Sequence, residues 1–318
     1  MTGGELLVAA VVDAVVGDPH WLPHPVRVMG RCITWFEHEI RKICRSGTSF
    51  RLAGVCLAVG LPLVTFMLAS VLIAEAEQFA GWLGSALSII LASMTLAARD
   101  LWDHAHAVDG PLQAGNLSAA RRAVGMIVGR DTAGLSPSEV ARATVETVAE
   151  SAADGVVAPL LYLAIGGAPL ALAYKAINTL DSMIGHRDPR YADFGWASAR
   201  LDDLVNWIPA RLAATALILG AGVITRQLEP VRLGWWVFRR DGGKHPSPNS
   251  GRPEAAMAGV LGVRLGGINF YDGIPQERPI LGSEGRLVEP GDILSATRVM
   301  AMAAVLVVFL AVGVRWLV

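Results

Sequence analysis

The stretch Gly155–Tyr174, GVVAPLLYLAIGGAPLALAY, is 20 residues long and carries no charge. About 20 apolar residues in helical form suffice to cross a bilayer core. Gly166-Gly167-Ala168-Pro169 sits midway along the run and weakens the helix there. The run is therefore expected to be broken or re-entrant, which is tolerated where backbone lines a protein or water cavity. The residues on either side fit that reading. Ser136-Pro137-Ser138-Glu139 is a capping-box pattern with proline at the first helical position. From there Glu139, Arg142, Glu146, Glu150 and Asp154 share one helical face, with Val140, Thr144, Val145, Val148 and Ala152 opposite. Beyond the run, Tyr174, Lys175, Asn178, Asp181 and Ser182 share a face, as do Arg200, Asp203, Asn206 and Trp207. Any one of these is an ordinary solvated helix face. As a set beside membrane-length segments, such groups are costly and usually face a cavity where they work.

The same signal recurs along the chain. Of 318 residues, 53% are hydrophobic and only 17% charged, against roughly 25% charged in a soluble domain. Membrane segments are expected at about 5–17, 52–74, 78–98, 155–177, 204–225 and 299–318, with loops over 18–51, 99–154, 178–203 and 227–296. The fold class is all-α, a polytopic membrane helical bundle forming one integral membrane domain. Segment 5–17 contains Asp13 and is short for a crossing. Glu75, Ala76 and Glu77 are expected to separate two antiparallel helices. Residues 17–30 hold three prolines and read as a rigid loop, in which His20 and His24 are only a weak metal signal. Residues 31–51 read as an amphipathic, basic interfacial helix.

The start lacks a basic leader region, so insertion into the cytoplasmic membrane through the chain's own helices is expected. Lys and Arg concentrate in all four loops, which places the working face toward the cytoplasm. A net charge of −1 weighs against nucleic acid as a partner. Three cysteines without a paired spacing suggest neither zinc nor a disulfide framework. The carboxylates Glu146, Glu150, Asp154, Asp181, Asp202 and Asp203 would repel one another in one cavity unless a divalent cation joined them. Oxygen ligands without thiolates point to Mg²⁺. Arg27, Arg130, Lys175, Arg200 and Arg252 are suited to phosphate oxygens. The strip His245–Gly251 is extended and turn-rich. No GxxxxGK[ST], HExxH or GxSxG pattern is present.

Seven blocks together resemble the CbiB/CobD family of membrane-bound adenosylcobinamide-phosphate synthases. They are GDPHWLPHPVRVMG (17–30), ARDL (98–101), GRDT (129–132), TVETVAESAADGVVAPLLY (144–162), YKAINTLDSMIGHR (174–187), ARLDDLVNWIPARL (199–212) and HPSPNSGRPEAAMAG (245–259). The resemblance implies that adenosylcobyric acid is joined to 1-amino-2-propanol O-2-phosphate, or ethanolamine phosphate, by an amide bond, with ATP and Mg²⁺. On it, Glu146, Glu150, Asp154 and Lys175 are the catalytic candidates, with Glu150 first choice to take the ammonium proton. Substrate and phosphate contacts fall to Asp18, His24, Arg27, Arg130, Asn178, Arg200, His245, Asn249 and Arg252, and metal contacts to Asp181, Asp203 and Glu150. The rival reading is a non-catalytic membrane sensor or carrier on the same scaffold. A synthase acting only within a complex with later nucleotide-loop enzymes, and a homo-oligomer, stay open.

Overall fold

A computed structural model describes residues 1–19, 23–44, 47–186 and 188–317; His20, Trp21, Leu22 and Arg187 of the quoted blocks lie outside them. In chain order the elements are α1 (Gly3–Val16), α2 (Pro25–Ile43), α3 (Gly47–Phe79), α4 (Gly81–Ser93), α5 (Ala98–Gln113), α6 (Leu117–Val124) and α7 (Pro137–Ser151). A π-helical turn, Ala152–Val157, joins α7 to α8 (Ala158–Ile184). Then follow α9 (Trp196–Val205), α10 (Trp207–Thr225), α11 (Glu229–Asp241), α12 (Gly251–Leu261), the strands β1 (Leu265–Tyr271) and β2 (Ile274–Leu281), and α13 (Gly291–Leu317). Among the described residues, five stretches are long and apolar enough to cross a membrane: Gly47–Phe79, Gly81–Gln113, Pro137–Ile184, Trp207–Thr225 and Gly291–Leu317. The chain is a polytopic, all-α membrane bundle carrying one β-hairpin.

The break expected at Gly166–Pro169 is there. Gly167 leaves the helix with φ 68° and ψ −164°, a conformation that side-chain-bearing residues rarely adopt. A regular helix would pair the Leu163 carbonyl with the Gly167 amide. Instead Leu163 accepts from Arg315, from Nε at 3.2 Å and Nη2 at 3.0 Å. A basic side chain on α13 thus takes over a carbonyl that the bilayer core could not satisfy.

Three boundaries differ from expectation. Residues 25–30 are helical rather than part of a rigid loop, because Pro25 sits at the first helical position and His24 caps the end, its Nδ1 accepting from Val26 N–H at 3.3 Å. Residues 47–51 belong to α3, not to the interfacial helix. The turn between α3 and α4 is at Ala80, so Glu75 to Glu77 stay helical.

The chain divides into two compact units. The first comprises Met1–Ala97, Pro159–Asn206 and Val308–Val318; the second comprises Ala98–Ala158 and Trp207–Val307. In the first, Ile33, Leu57, Leu180, Ile184 and Phe194 form a buried apolar cluster. Gly54 of α3 lets that helix close on Phe194, where a Cβ would lie 1.9 Å from the carbonyl oxygen. In the second, α12 packs on α11, α10 and α7. Gly234 and Gly259 allow α11 and α12 to meet almost backbone to backbone, since a Cβ on Gly259 would fall 2.7 Å from the Gly234 Cα.

Candidate functional site

The second unit contains a polar cavity of about 240 Å³, lined among others by Arg130, Glu146, Glu150, His245, Glu254, Asn269, Tyr271 and Arg278. Its wall begins with α7. Ser136 and Glu139 form the expected capping box, each accepting from the other's backbone amide. Val140, Ala141, Thr144, Val145 and Val148 are buried, which turns Glu146, Thr147, Glu150 and Ser151 toward the cavity. The helix then widens into the π-helical turn, a distortion frequent at functional sites. Asp154 sits on that turn.

The hairpin forms the facing wall. Asp272 and Gly273 both have positive φ, 51° and 77°, the type I′ turn that matches the twist of two antiparallel strands. The GRDT block docks on it: Asp131 N–H donates to the Phe270 carbonyl, and Gly273 N–H donates to Asp131 Oδ2, both at 2.8 Å. Glu146 pins the other end. Its Oε1 accepts from Gly266 N–H at 2.8 Å and from Arg142 at 3.2 Å, and its Oε2 accepts from Arg130 at 2.5 Å. Arg142 also donates to the Gly266 carbonyl and to Asn269 Oδ1. Both oxygens of Glu146 are therefore engaged, and Arg130, with its side chain 6% exposed, is held between Glu146 and Asn269.

Glu150 differs. It is exposed at the cavity wall and has no hydrogen bond to the described residues. Glu254, in the first turn of α12, is buried. Burial first, then Glu150 and Glu146, raise its carboxyl well above the ordinary range, against the pull of Arg278 and Arg130. The cavity thus sets one free carboxylate beside another that favours its neutral form.

His245 stands in the loop between α11 and α12. Asp241, fully buried, braces that loop by accepting from Lys244 at 2.6 Å, from Arg240 and from Gly282 N–H at 2.8 Å. Burial opposes the Asp241 charge, but Arg240, Lys244 and the Gly282 amide outweigh it and hold the carboxyl well below its usual range. Burial, reinforced by Arg278, pushes the His245 imidazole down to about 4, so the ring is neutral at pH 7. Gly251 opens α12 directly against it: a Cβ there would lie 2.4 Å from the His245 Cβ. Asn249 is buried in the same loop, and its backbone N–H donates to Ser247 Oγ at 3.2 Å. Arg252 Nε is buried without a hydrogen-bond partner among the described residues.

Of the residues singled out from sequence, the cavity brings together Arg130, Glu146, Glu150 and His245. It adds Glu254, Asn269, Tyr271 and Arg278, which sequence reasoning did not name as site residues. Asp154, Asn249 and Arg252 belong to the same unit but do not line the cavity, and the remaining candidates belong to the first unit. There His24 Nε2 lies 3.3 Å from Asp18 Oδ1, and Arg27 lines a shallow groove with Trp35 and Met183. Lys175, Asn178 and Asp181 lie on α8, and Arg200 and Asp203 on α9. Asp202, beside them, is buried, and burial followed by Asp181 pushes its carboxyl up to about 7. Among the described residues, no three or more His, Cys, Asp or Glu side chains form a group able to hold a metal ion.

The family described as "CobD/Cbib protein" matches residues 6–300. The chain is 45% identical over 315 residues to the cobalamin biosynthesis protein CobD of Klebsiella pneumoniae, covering 98% of this chain and 97% of that one. It is 46% identical to CobD of Geobacter metallireducens over 309 residues, covering 97% and 95%. With the cobalamin biosynthesis protein CbiB of Salmonella arizonae it shares 40% identity over 312 residues, covering 98% and 97%. No solved structure matches the chain. Matched along almost its whole length by the family and by these relatives, the chain belongs to the CobD/CbiB family.

Proposed function

We propose that this protein acts in cobalamin biosynthesis as an adenosylcobinamide-phosphate synthase. It joins a carboxylate of adenosylcobyric acid to the amine of 1-amino-2-propanol O-2-phosphate or ethanolamine phosphate. One observation carries the reading: a single small cavity sets Glu150, without a hydrogen bond among the described residues, beside the buried Glu254, under a rim of the cationic Arg130 and Arg278 with the neutral His245. Forming an amide from an ammonium ion requires a proton to leave the nitrogen and a cationic surface for phosphate.

Glu150 is free to accept that proton, because it has no competing hydrogen bond among the described residues. Glu254 shares the load, its neutral form being favoured by burial and by Glu150. Glu146 holds Arg130 and the hairpin in place, which makes it a positioning residue in this scheme. On family grounds Asn178, Arg200, Asn249 and Arg252, together with Asp18, His24 and Arg27, are assigned to the substrates, and Asp154 and Lys175 to catalysis.

ATP supplies the phosphoryl group that activates the carboxylate, and Mg²⁺ neutralises phosphate charge. The donor set fits such an ion. Mg²⁺ usually keeps several waters and takes one or two protein carboxylates besides substrate phosphates, so no preformed group of three is required. Glu150 is one such carboxylate; Asp181 and Asp203, next to the buried Asp202, supply a pair within the first unit. The working face is assigned to the cytoplasmic side of the inner membrane from the basic loops.

The test is synthesis by purified protein in detergent, given adenosylcobyric acid, aminopropanol phosphate, ATP and Mg²⁺, with products read by mass. The amide product is expected, and EDTA is expected to abolish it. Consumption of neither substrate by folded protein would overturn the assignment, and full synthesis in EDTA would remove the metal.

A further inference from the structure

His245 is caught between two hydrogen-bond donors. Ser247 N–H donates to its Nδ1 at 3.0 Å. On the other side of the ring, Nε2 lies 2.7 Å from Arg278 Nη1. A neutral imidazole offers one acceptor and one donor, and a guanidinium offers donors only. With the proton on Nε2, the Ser247 contact is satisfied and the ring N–H points at an arginine N–H. Moving the proton to Nδ1 satisfies Arg278 but sets that proton against the Ser247 amide. Protonating both nitrogens makes both contacts unfavourable. No state of the ring alone resolves the arrangement.

An anionic oxygen that accepts from both Nε2–H and Nη1–H, drawing the two nitrogens apart from their 2.7 Å contact, resolves it. Such an oxygen accepts from the imidazole N–H and from the guanidinium, and leaves Nδ1 for Ser247. Each group is braced on its far side. Arg278 Nη2 donates to the Tyr271 hydroxyl at 3.2 Å, and Gly251 fixes the His245 Cβ from behind. The cavity's 240 Å³ falls below the roughly 300–1,000 Å³ of pockets that enclose drug-sized ligands. The carboxylate of Glu150 in the same cavity calls for a cation at the other end of the occupant.

We propose that His245 and Arg278 form the seat for the phosphate of a small amine-bearing phosphate monoester, whose ammonium faces Glu150 and Glu254. The seat deepens the synthase reading above and rests on it for the substrate class. It makes Arg278, on the second strand of the hairpin, a substrate-binding residue.

Binding can be read without turnover. Full-length protein in detergent is titrated calorimetrically with O-phosphoethanolamine, in the absence of ATP and corrinoid. Replacing Arg278→Gln is expected to weaken binding at least roughly tenfold, the effect of losing a charge-assisted hydrogen bond, and R278K should recover part of it. Equal affinity in wild type and R278Q contradicts the seat. Wild-type protein with ¹⁵N-labelled histidine gives a reading that needs no stable Arg278 variant. On adding O-phosphoethanolamine, the resonance missing in H245N should move at Nε2 while Nδ1 stays an acceptor; an unmoved ring contradicts the proposal. Adenosine monophosphate binding as tightly as O-phosphoethanolamine would assign the seat to nucleotide and overturn it. Binding as expected, with no product when all substrates are present, would leave the seat standing and remove the synthase. Synthesis with binding indifferent to Arg278 would do the reverse.

Discussion

Glu146 and Gly266 are 120 positions apart in the chain, and the Gly266 N–H donates to Glu146 Oε1 at 2.8 Å. Gly266 has φ 82°, and a Cβ there would lie 2.1 Å from the Pro279 carbonyl oxygen. The glycine therefore brings the strand's backbone to the α7 carboxylate, and the carboxylate gathers Arg130 and Arg142 around it. One wall of the cavity depends on this link.

Replacing Glu146→Ala leaves Arg130 and Arg142 without their carboxylate in a mostly buried setting. Breaking a buried ion pair from one side typically costs about 3–5 kcal/mol. Thermal unfolding in detergent should show a clearly lower midpoint for E146A. An E146Q variant, which keeps an oxygen acceptor for Gly266, should fall between the two. A midpoint unchanged in E146A would mean that the hairpin is anchored elsewhere.

The buried carboxyl of Glu254 has a pH signature. Its folded-state pKa is raised, so its contribution to stability is fully present below the ordinary glutamate value of about 4.5 and is lost as pH rises through the folded value. Wild type should therefore become less stable as pH rises from about 4.5 toward its raised pKa. E254Q should flatten that part of the profile and be the more stable protein at pH 7, while losing synthesis. Unfolding midpoints across pH for both proteins check the sign; parallel profiles would contradict it.

Gly251 is helical, so alanine suits its backbone, yet the added methyl meets the His245 Cβ at 2.4 Å. G251A should fold and insert normally while displacing the imidazole. A misplacement of about 1 Å at a reacting centre can cost on the order of 100-fold in rate. Steady-state synthesis at saturating substrates measures the loss, and a rate within a few-fold of wild type would show that His245 tolerates the shift.

Arg315 and the Leu163 carbonyl give a prediction for the membrane-level scaffold. Replacing Arg315→Leu removes both donors to that carbonyl. A buried acceptor left unpaired costs roughly 1–3 kcal/mol, to be read as a lowered unfolding midpoint. If R315L unfolds like wild type, the break at Gly167 is satisfied by another donor.

Sequence and structure agree where a local rule governs and part where distant residues decide. Ser136 to Glu139 announced the start of α7, and Gly166 to Pro169 announced the break in α8, because capping and helix breaking are written within four residues. The hairpin was missed although Tyr271-Asp272-Gly273-Ile274 contains the Asp-Gly signal of a type I′ turn. Gly266, Gly267, Pro275 and Pro279 in its strands read against extended pairing. Glu254 follows a proline at a helix start, where an acid is ordinary, and nothing local marks it as buried beside Glu146 and Glu150. Arg278 was hidden for the same reason, since its role depends on the hairpin bringing it to His245.

The most direct trial is a single substitution at the free carboxylate. Purified E150Q and wild type, both shown to be folded and detergent-stable, are given adenosylcobyric acid, aminopropanol phosphate, ATP and Mg²⁺, and the amide product is counted by mass. The account predicts product from wild type and a rate at least roughly 100-fold lower from E150Q, the scale of a lost general base. Near-normal synthesis by E150Q would contradict it.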